Sequence, residues 1–516
     1  MSEQIQNTQA NNKRIAKNTM LLYIRMLFMM AVSLYTSRVV LNTLGVEDFG
    51  IHNVVGGFVA MFSVLSGSLS SSISRFITFE LGKGDKQRLG NVFSTGVNIQ
   101  IGMSIIIILL AEAIGVWFLN TKMNIPVERL GSANWVFQCA IFTFVLGLLS
   151  VPYNAAIIAH EKMSAFAYIS VIEVVLKLII VYMLIISPFD RLITYAILLV
   201  LVSIVIRIIY GYYCKRHFEE CTYHVVYDKS LLKSMTSFAG WNFLGNGAYL
   251  LNTQGVNILM NMYFGVAVNA ARGLAVQVDS AVNQFVNNFT MAMSPQITKS
   301  YASGNLDYVY RLICSGSKYA YFIMFIFVVP VVLEAENLLS IWLVKVPEET
   351  SVFLRLVVLS SLTNVMANPM LTAIMATGDI KRYEIEVTMI GSLVFPFTWV
   401  AYLLGAPAYV TYIIFILIYL LLNFIRLISL KRLIKFPLLD FIYNILPRIG
   451  AVTICSFIIP MSVICLMPES LSRLFITSVL SIFWSIVCIL YLGMDKVERT
   501  FVIGKVMPAI KRTLHI

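Results

Sequence analysis

The chain has 516 residues, of which 59% are hydrophobic and 12% charged, with a mean hydropathy of +0.83. An ordinary soluble domain carries about a quarter charged residues, so this composition excludes one and makes the chain an all-α polytopic membrane protein. The net charge of +12 lies in short loops beside apolar runs, where anionic lipid headgroups are the expected partner and nucleic acid is not.

The chain opens with a polar segment, 1–17, followed by an apolar run at 18–41. That run is longer than a signal-peptide core and no small-residue cleavage site closes it, so it is read as a retained first span. With about 20 apolar residues per crossing, fourteen spans are expected. They fall at 18–41, 51–79, 91–119, 132–158, 164–187, 191–214, 236–263, 268–298, 308–333, 350–376, 383–404, 408–430, 444–467 and 471–493. With the N-terminus inside, the cytoplasmic segments hold 24 Lys and Arg residues, against five on the other side (Lys122, Arg129, Arg191, Lys345 and Arg473). The positive-inside rule therefore puts both termini in the cytoplasm.

The longest polar break, 215–235, separates spans six and seven and marks an internal repeat. Ser74, Ile77, Thr78, Gly84, Asp85 and Gly96 are matched 220 positions later by Ser294, Ile297, Thr298, Gly304, Asn305 and Gly316. Phe49-Gly50 parallels Phe264-Gly265, and Pro152 with His160-Glu161-Lys162 parallels Pro369 with Gly378-Asp379-Ile380-Lys381 at an offset near 217. An offset of six spans keeps both copies in one orientation, which makes the repeat parallel. The expected organisation is a cytoplasmic segment 1–17, a first six-helix lobe 18–214, a linker 215–235 and a second lobe 236–435. Two further helices follow in 436–493, and then a basic cytoplasmic tail, 494–516.

Spans seven and eight, with an expected turn at Phe264-Gly265-Val266, are too polar to face lipid alone. Asn242, Asn246, Tyr249, Thr253, Asn257 and Asn261 recur at helical spacing on the first, and Asn269, Arg272, Asp279, Asn283, Thr290 and Ser294 on the second. Such groups must point into a protein interior or a water-filled cavity. Amides both donate and accept, which suits a hydroxyl-rich ligand, so Asn242, Asn246, Asn257, Asn269 and Asn283 are candidates for lining a glycan cavity.

Charges within other spans sharpen the choice of ligand. Glu173 and Lys177, four apart, are read as neutralising each other. Arg38, Arg75, Arg207, Arg426 and Glu80 lie near span ends, where a long side chain can snorkel to the interface. Arg25 and Arg272 lie deeper, and each needs a partner or water. Arginine stays charged and donates bidentately to phosphate. The structural alternative is that Arg272 is neutralised by Asp279, seven residues along the same helix face. Asp279, Glu112 and Glu384 are candidates for an H⁺- or Na⁺-coupling site. The seven cysteines show no metal-ligand spacing and no disulfide is expected. The five histidines are scattered, and the sequence carries no zincin, phosphate-loop or nucleophile-elbow motif. Neither catalysis nor a metal or organic cofactor is therefore expected.

Three further stretches specify a family. Leu44-Gly45-Val46-Glu47-Asp48-Phe49-Gly50, Gly82-Lys83-Gly84-Asp85 and Val268-Asn269-Ala270-Ala271-Arg272-Gly273, with Ser294-Pro295-Gln296-Ile297-Thr298-Lys299-Ser300-Tyr301, resemble the polysaccharide-transporter (O-antigen flippase) branch of the multidrug/oligosaccharidyl-lipid/polysaccharide (MOP) exporter superfamily. The resemblance covers roughly 18–435. It implies two lobes forming a V around a central cavity in a bacterial inner membrane. It also implies flipping of an undecaprenyl-diphosphate-linked oligosaccharide to the outer leaflet, together with other polysaccharide-assembly proteins. Cavity arginines on spans one, two and eight are part of that implication, and Arg25, Arg75 and Arg272 stand on those spans. Alternating access would expose the diphosphate and glycan site to each side in turn. The rivals are a multidrug cation antiporter of the same superfamily, which needs an acidic cavity, and a non-transporting scaffold. A lipid-linked-glycan polymerase is disfavoured because no long outer loop is present.

Overall fold

The computed structural model describes residues 2–60, 62–121, 125–342 and 346–500; within 2–65 and 248–270, side chains are described at some positions only. Residues 501–516, most of the expected basic tail, lie outside the described residues, as do the side chains of Arg38, Tyr249, Asn261 and Asn269.

Every α-helical, 3₁₀ or π element among the described residues is helical, and there is no strand. Among the described residues, ten helices are long and apolar enough to cross a membrane: Lys86–Thr121, Val127–Ala159, Met163–Ile186, Arg191–His217, Leu306–Leu333, Thr350–Thr377, Lys381–Leu403, Val410–Ile434, Leu438–Leu466 and Leu471–Gly493. They coincide with expected spans three to six and nine to fourteen. Large apolar side chains such as Leu109, Ile186, Leu403 and Leu466 stand exposed on them, as lipid-facing residues do. The other four expected spans are helical but lie in the polar segments Ser2–Ala60, Ser63–Lys83 and Lys229–Ala302. The count of fourteen is not reached on apolarity alone.

Local chemistry sets the breaks. The expected loop at 44–50 contracts to one residue, Gly45, whose φ of 82° and ψ of 167° interrupt Ser2–Ala60. The expected second span, 51–79, is divided between Ala60 and Ser63. Asp85, Asp190 and Asp228 accept backbone N–H groups at the starts of their helices, which satisfies donors that have no partner within the helix. Gly84 (φ 79°) and Gly304 (φ 78°), paired by the repeat, both take the left-handed conformation that ends a helix.

Helical backbone is continuous from Lys229 to Ala302, yet the chain folds back within it. The Arg272 side chain bonds Asn257 and the Thr253 carbonyl, 15 and 19 residues earlier. Along a straight helix those separations would be about 22 and 28 Å, beyond the reach of one side chain. The segment is therefore a helical hairpin whose reversal lies between 257 and 272, the interval that contains Phe264-Gly265-Val266.

The chain divides into two compact units, Met1–Gly247 with Met291–Asn305, and Ala248–Thr290 with Leu306–Ile516. The first has a core around Ile73, Ile77, Phe93, Ala156 and Cys214, and a second cluster around Val136, Phe137 and Leu119. Arg129 ties it together by pairing with both Asp48 and Asp190. In the second unit, Phe322, Phe325 and Phe353 are fully buried. Arg473 ties the last long helix to Glu334, and Glu498, just beyond that helix, pairs with buried Lys318.

Candidate functional site

In the second unit the hairpin helix packs against Lys381–Leu403 through small and polar residues. A Cβ at Gly255 would sit 2.7 Å from the Phe395 ring, Asn252 donates to the Gly391 carbonyl at 2.8 Å, and Tyr263 and Phe264 meet the Tyr402 ring. This close approach frames Arg272.

The guanidinium of Arg272 donates from Nη1 to Asn257 Oδ1 at 3.1 Å and from Nη2 to the Thr253 carbonyl at 3.4 Å. Its Nε is buried with no acceptor. It makes no ion pair with an acid among the described residues. Asp279, the expected structural partner, is engaged elsewhere: Oδ2 accepts from Ser361 Oγ at 2.8 Å, and Oδ1 is buried without a partner. The structural alternative for Arg272 is thus replaced by neutral acceptors across the hairpin, which hold the side chain without cancelling its charge. Asn257 orients the arginine, and Asn283 donates its amide to the Asp279 carbonyl at 3.0 Å.

Glu384 is buried in the same unit, beside Arg426. Arg426 does not snorkel. It is buried and donates to the Tyr383 hydroxyl at 3.2 Å and to the amide oxygens of Asn364 and Asn423 at 3.1 and 3.0 Å. This polar cluster is one the sequence reading missed. The available signal was Asn423 and Arg426 on one helix face with Asn364 on another span.

In the first unit, Arg25 lies 4.4 Å from the Phe166 ring centroid and donates from Nε to Met29 Sδ at 3.3 Å. Arg75 is held between Phe76 and Phe79, at 4.6 and 4.5 Å, with Phe238 at 5.8 Å. Aromatic faces stabilise a cation in an apolar setting. Two other residues expected at the interface also turn inward: Arg207 lies 4.1 Å from the Tyr153 ring centroid, and buried Glu80 pairs with Arg88 at 3.2 Å. Asn246 donates to Asn242 Oδ1 at 2.9 Å and to Ser68 Oγ at 3.4 Å, so the two candidate amides form one small network. Glu112 is exposed, in the π-helical turn Ala111–Gly115. Glu173 and Lys177 form their expected pair at 2.6 Å.

A family described as "polysaccharide biosynthesis protein" matches residues 15–301. The uncharacterized membrane protein EpsK of Bacillus subtilis (strain 168) is 21% identical over 278 residues, which is 54% of this chain and 55% of that protein. The chain therefore matches about half the length of this curated relative. Among solved structures, a MATE in the bent conformation is similar with a TM-score of 0.70 at 14% identity, covering 82% of this chain and 96% of that one. The Vibrio cholerae MATE transporter VcmN in the bent form has a TM-score of 0.67 at 15% identity, covering 83% and 98%. A MOP superfamily transporter from Pyrococcus furiosus Vc1 (DSM3638), described as having a binding pocket of reverse polarity that suggests a different function, has a TM-score of 0.64 at 16% identity, covering 84% and 96%. At these identities the likeness is one of fold. The family match spans more than half of the sequence, and the chain belongs to the polysaccharide biosynthesis protein family, as a multi-pass membrane protein with the fold of MOP superfamily transporters.

Proposed function

We propose that the chain is a secondary transporter of the bacterial inner membrane that moves a polyprenyl-diphosphate-linked oligosaccharide from the cytoplasmic to the outer leaflet, for surface polysaccharide or O-antigen assembly. The observation that carries this reading is Arg272, a cation at membrane depth with no acidic partner among the described residues and with a buried, unpartnered Nε. An uncancelled charge there is costly unless an anion visits it, and a diphosphate matches its planar fork. Arg25 and Arg75 in the first unit are further candidates for the diphosphate. Asn242, Asn246 and Asn257 are candidates for sugar hydroxyls.

Asp279 is the candidate for H⁺ or Na⁺ coupling, because one buried carboxylate oxygen is unpartnered. The same oxygen is the one feature favouring a multidrug cation antiporter. Outward movement of an anion is assisted by an inside-negative potential, by about 2.3 kcal/mol per charge per 100 mV. No catalytic step is needed for this function.

The test is deletion and rescue in the native host. Loss of the gene should leave lipid-linked glycan accumulated on the cytoplasmic leaflet, and the wild-type gene should restore delivery. Normal outer-leaflet delivery in the deletion strain, with other flippases removed, would exclude the proposed cargo. Lowered susceptibility to cationic dyes on overexpression would favour the antiporter instead.

A further inference from the structure

Three of the motifs quoted above meet at one point in the first unit. Glu161 stands in the three-residue turn between Leu130–Ala159 and Met163–Ile186, with a positive φ of 57°. L-residues other than glycine, Asn and Asp seldom adopt that conformation. The repeat pairs this position with Gly378, which takes the same conformation at 81°, as a glycine does without strain. Something in this turn favours a glutamate over the residue the backbone would prefer.

Its side chain is 1% exposed and accepts from four donor atoms on two other stretches of chain. Arg14 grips both oxygens, with Nη2 2.9 Å from Oε1 and Nε 2.6 Å from Oε2. Lys299 Nζ donates to Oε1 at 2.8 Å and Gln296 Nε2 to Oε2 at 2.6 Å. Asn18 also donates to the Glu161 carbonyl at 3.4 Å. Gln296 and Lys299 are the polar positions of the Ser294–Tyr301 motif, and the Gly82 motif packs on the same residues. A Cβ at Gly82 would lie 2.8 Å from Lys299 Cα and 2.9 Å from Ala302 Cβ. Tyr301 meets the Phe79 ring at 6.3 Å.

The segment so gripped is unusual in its connectivity. Residues 291–305 belong to the first unit, while the chain entering and leaving them, 248–290 and from 306 onward, belongs to the second. Apart from the covalent chain at 247–248, this segment is the other route by which the backbone passes between the units. Its Ala292, Met293 and Ile297 are buried, Ala292 in the apolar core of the unit, and the charged cluster adds a polar attachment at its helix end. Ion pairs of this kind can break and re-form locally without unfolding a core.

We propose that Glu161 is the catch of a reversible latch, in which its carboxylate, held by Arg14, Gln296 and Lys299, keeps segment 291–305 docked in the first unit. In a transporter of the proposed kind this is a segment whose undocking would have to accompany movement of the second unit. The docking claim itself rests on geometry and needs no assumption about cargo.

The test uses the full-length protein in native membranes with Ser300→Cys, a buried position on the docked segment. N-ethylmaleimide labelling at residue 300 is read by peptide mass spectrometry, with buried native Cys214 in the core of the same unit as the internal control. Glu161→Gln and Glu161→Gly should each raise the labelling rate at residue 300 about tenfold, the scale of losing charge-assisted hydrogen bonds from a local opening equilibrium. Cys214 should stay protected. Glycine is the discriminating variant, because it relaxes the backbone. If Glu161 served only the turn, Glu161→Gly would label no faster than wild type, and that result overturns the latch. A parallel rise at Cys214 would also overturn it, since general loss of the fold is then the cause. The exchange pair Glu161→Lys with Lys299→Glu should recover part of the protection lost in Glu161→Gln. No cargo enters this assay, so its failure is distinguishable from failure of the proposed function.

Discussion

Arg272 and Arg473 are both arginines of the second unit set into helices, and the structure treats them in opposite ways. Arg473 places Nε and Nη2 on the Glu334 carboxylate at 3.0 and 3.2 Å, and Glu334 is fully buried. Its charge is cancelled by a dedicated acid 139 residues away in sequence. Among the described residues Arg272 is offered only an amide oxygen and a carbonyl, although an aspartate stands seven residues along its own helix. A protein that can supply a buried carboxylate for one arginine and withholds it from another has left the second charge available. On the proposed function, the comparison separates an arginine that holds the fold from one left open to an anionic ligand.

The contrast can be broken by substitution. Glu334→Gln leaves Arg473 buried without its counter-charge, so it should destabilise the protein by about 3–5 kcal/mol. The expected readout is a clearly lower midpoint of thermal unfolding in detergent, with transport per folded molecule retained. Arg272→Met removes a charge that no acid balances. Its stability should change by less than about 1 kcal/mol, or rise, because an apolar group of similar length replaces a partly satisfied cation. If the two variants shift the midpoint equally, the distinction between the arginines fails.

A smaller effect is expected at the junction before Arg191–His217. Burial raises the Asp190 carboxyl, but the Ile193 N–H and Arg129 outweigh it, so the group titrates below its ordinary range. A depressed folded value contributes stability above the unfolded pKa and loses it as pH falls through the folded one. Unfolding midpoints of the wild type should therefore fall below about pH 4, and Asp190→Asn should flatten that acid limb. An unchanged limb would remove Asp190 from the account of how the Asp48–Arg129–Asp190 cluster is held.

Much of the fold could be read from one sequence because hydropathy is additive along a helix. Ten expected spans coincide with apolar helices, and the reversal inside Lys229–Ala302 lies between 257 and 272, an interval that contains the expected turn. Arg272 was legible for the same reason, since a charge within a polar stripe stands out against lipid. What could not be read was the direction in which a side chain turns. Arg426, Arg207 and Glu80 looked like residues near helix ends that reach for the interface, but each turns inward to a partner. Apart from Asn423, which shares the helix of Arg426, those partners lie on other helices, up to 62 residues away in the case of Asn364. Glu161 was hidden more deeply. In sequence it is one polar residue of a short loop, and its importance comes from Arg14, Gln296 and Lys299, 135 to 147 positions distant. No local pattern encodes such a meeting. A glutamate where the repeat has glycine was the one trace it left.

The central claim is that Arg272 recognises a lipid-linked diphosphate, and the most direct measurement is equilibrium binding of polyprenyl diphosphate to the purified full-length protein, wild type against Arg272→Ala and Arg272→Lys. Loss of a charged, bidentate partner should weaken binding by about 2–3 kcal/mol in the alanine variant, roughly 30- to 150-fold in Kd, with lysine recovering only part because it lacks the planar fork. Equal affinity in wild type and Arg272→Ala, in proteins of equal thermal stability, would contradict the account.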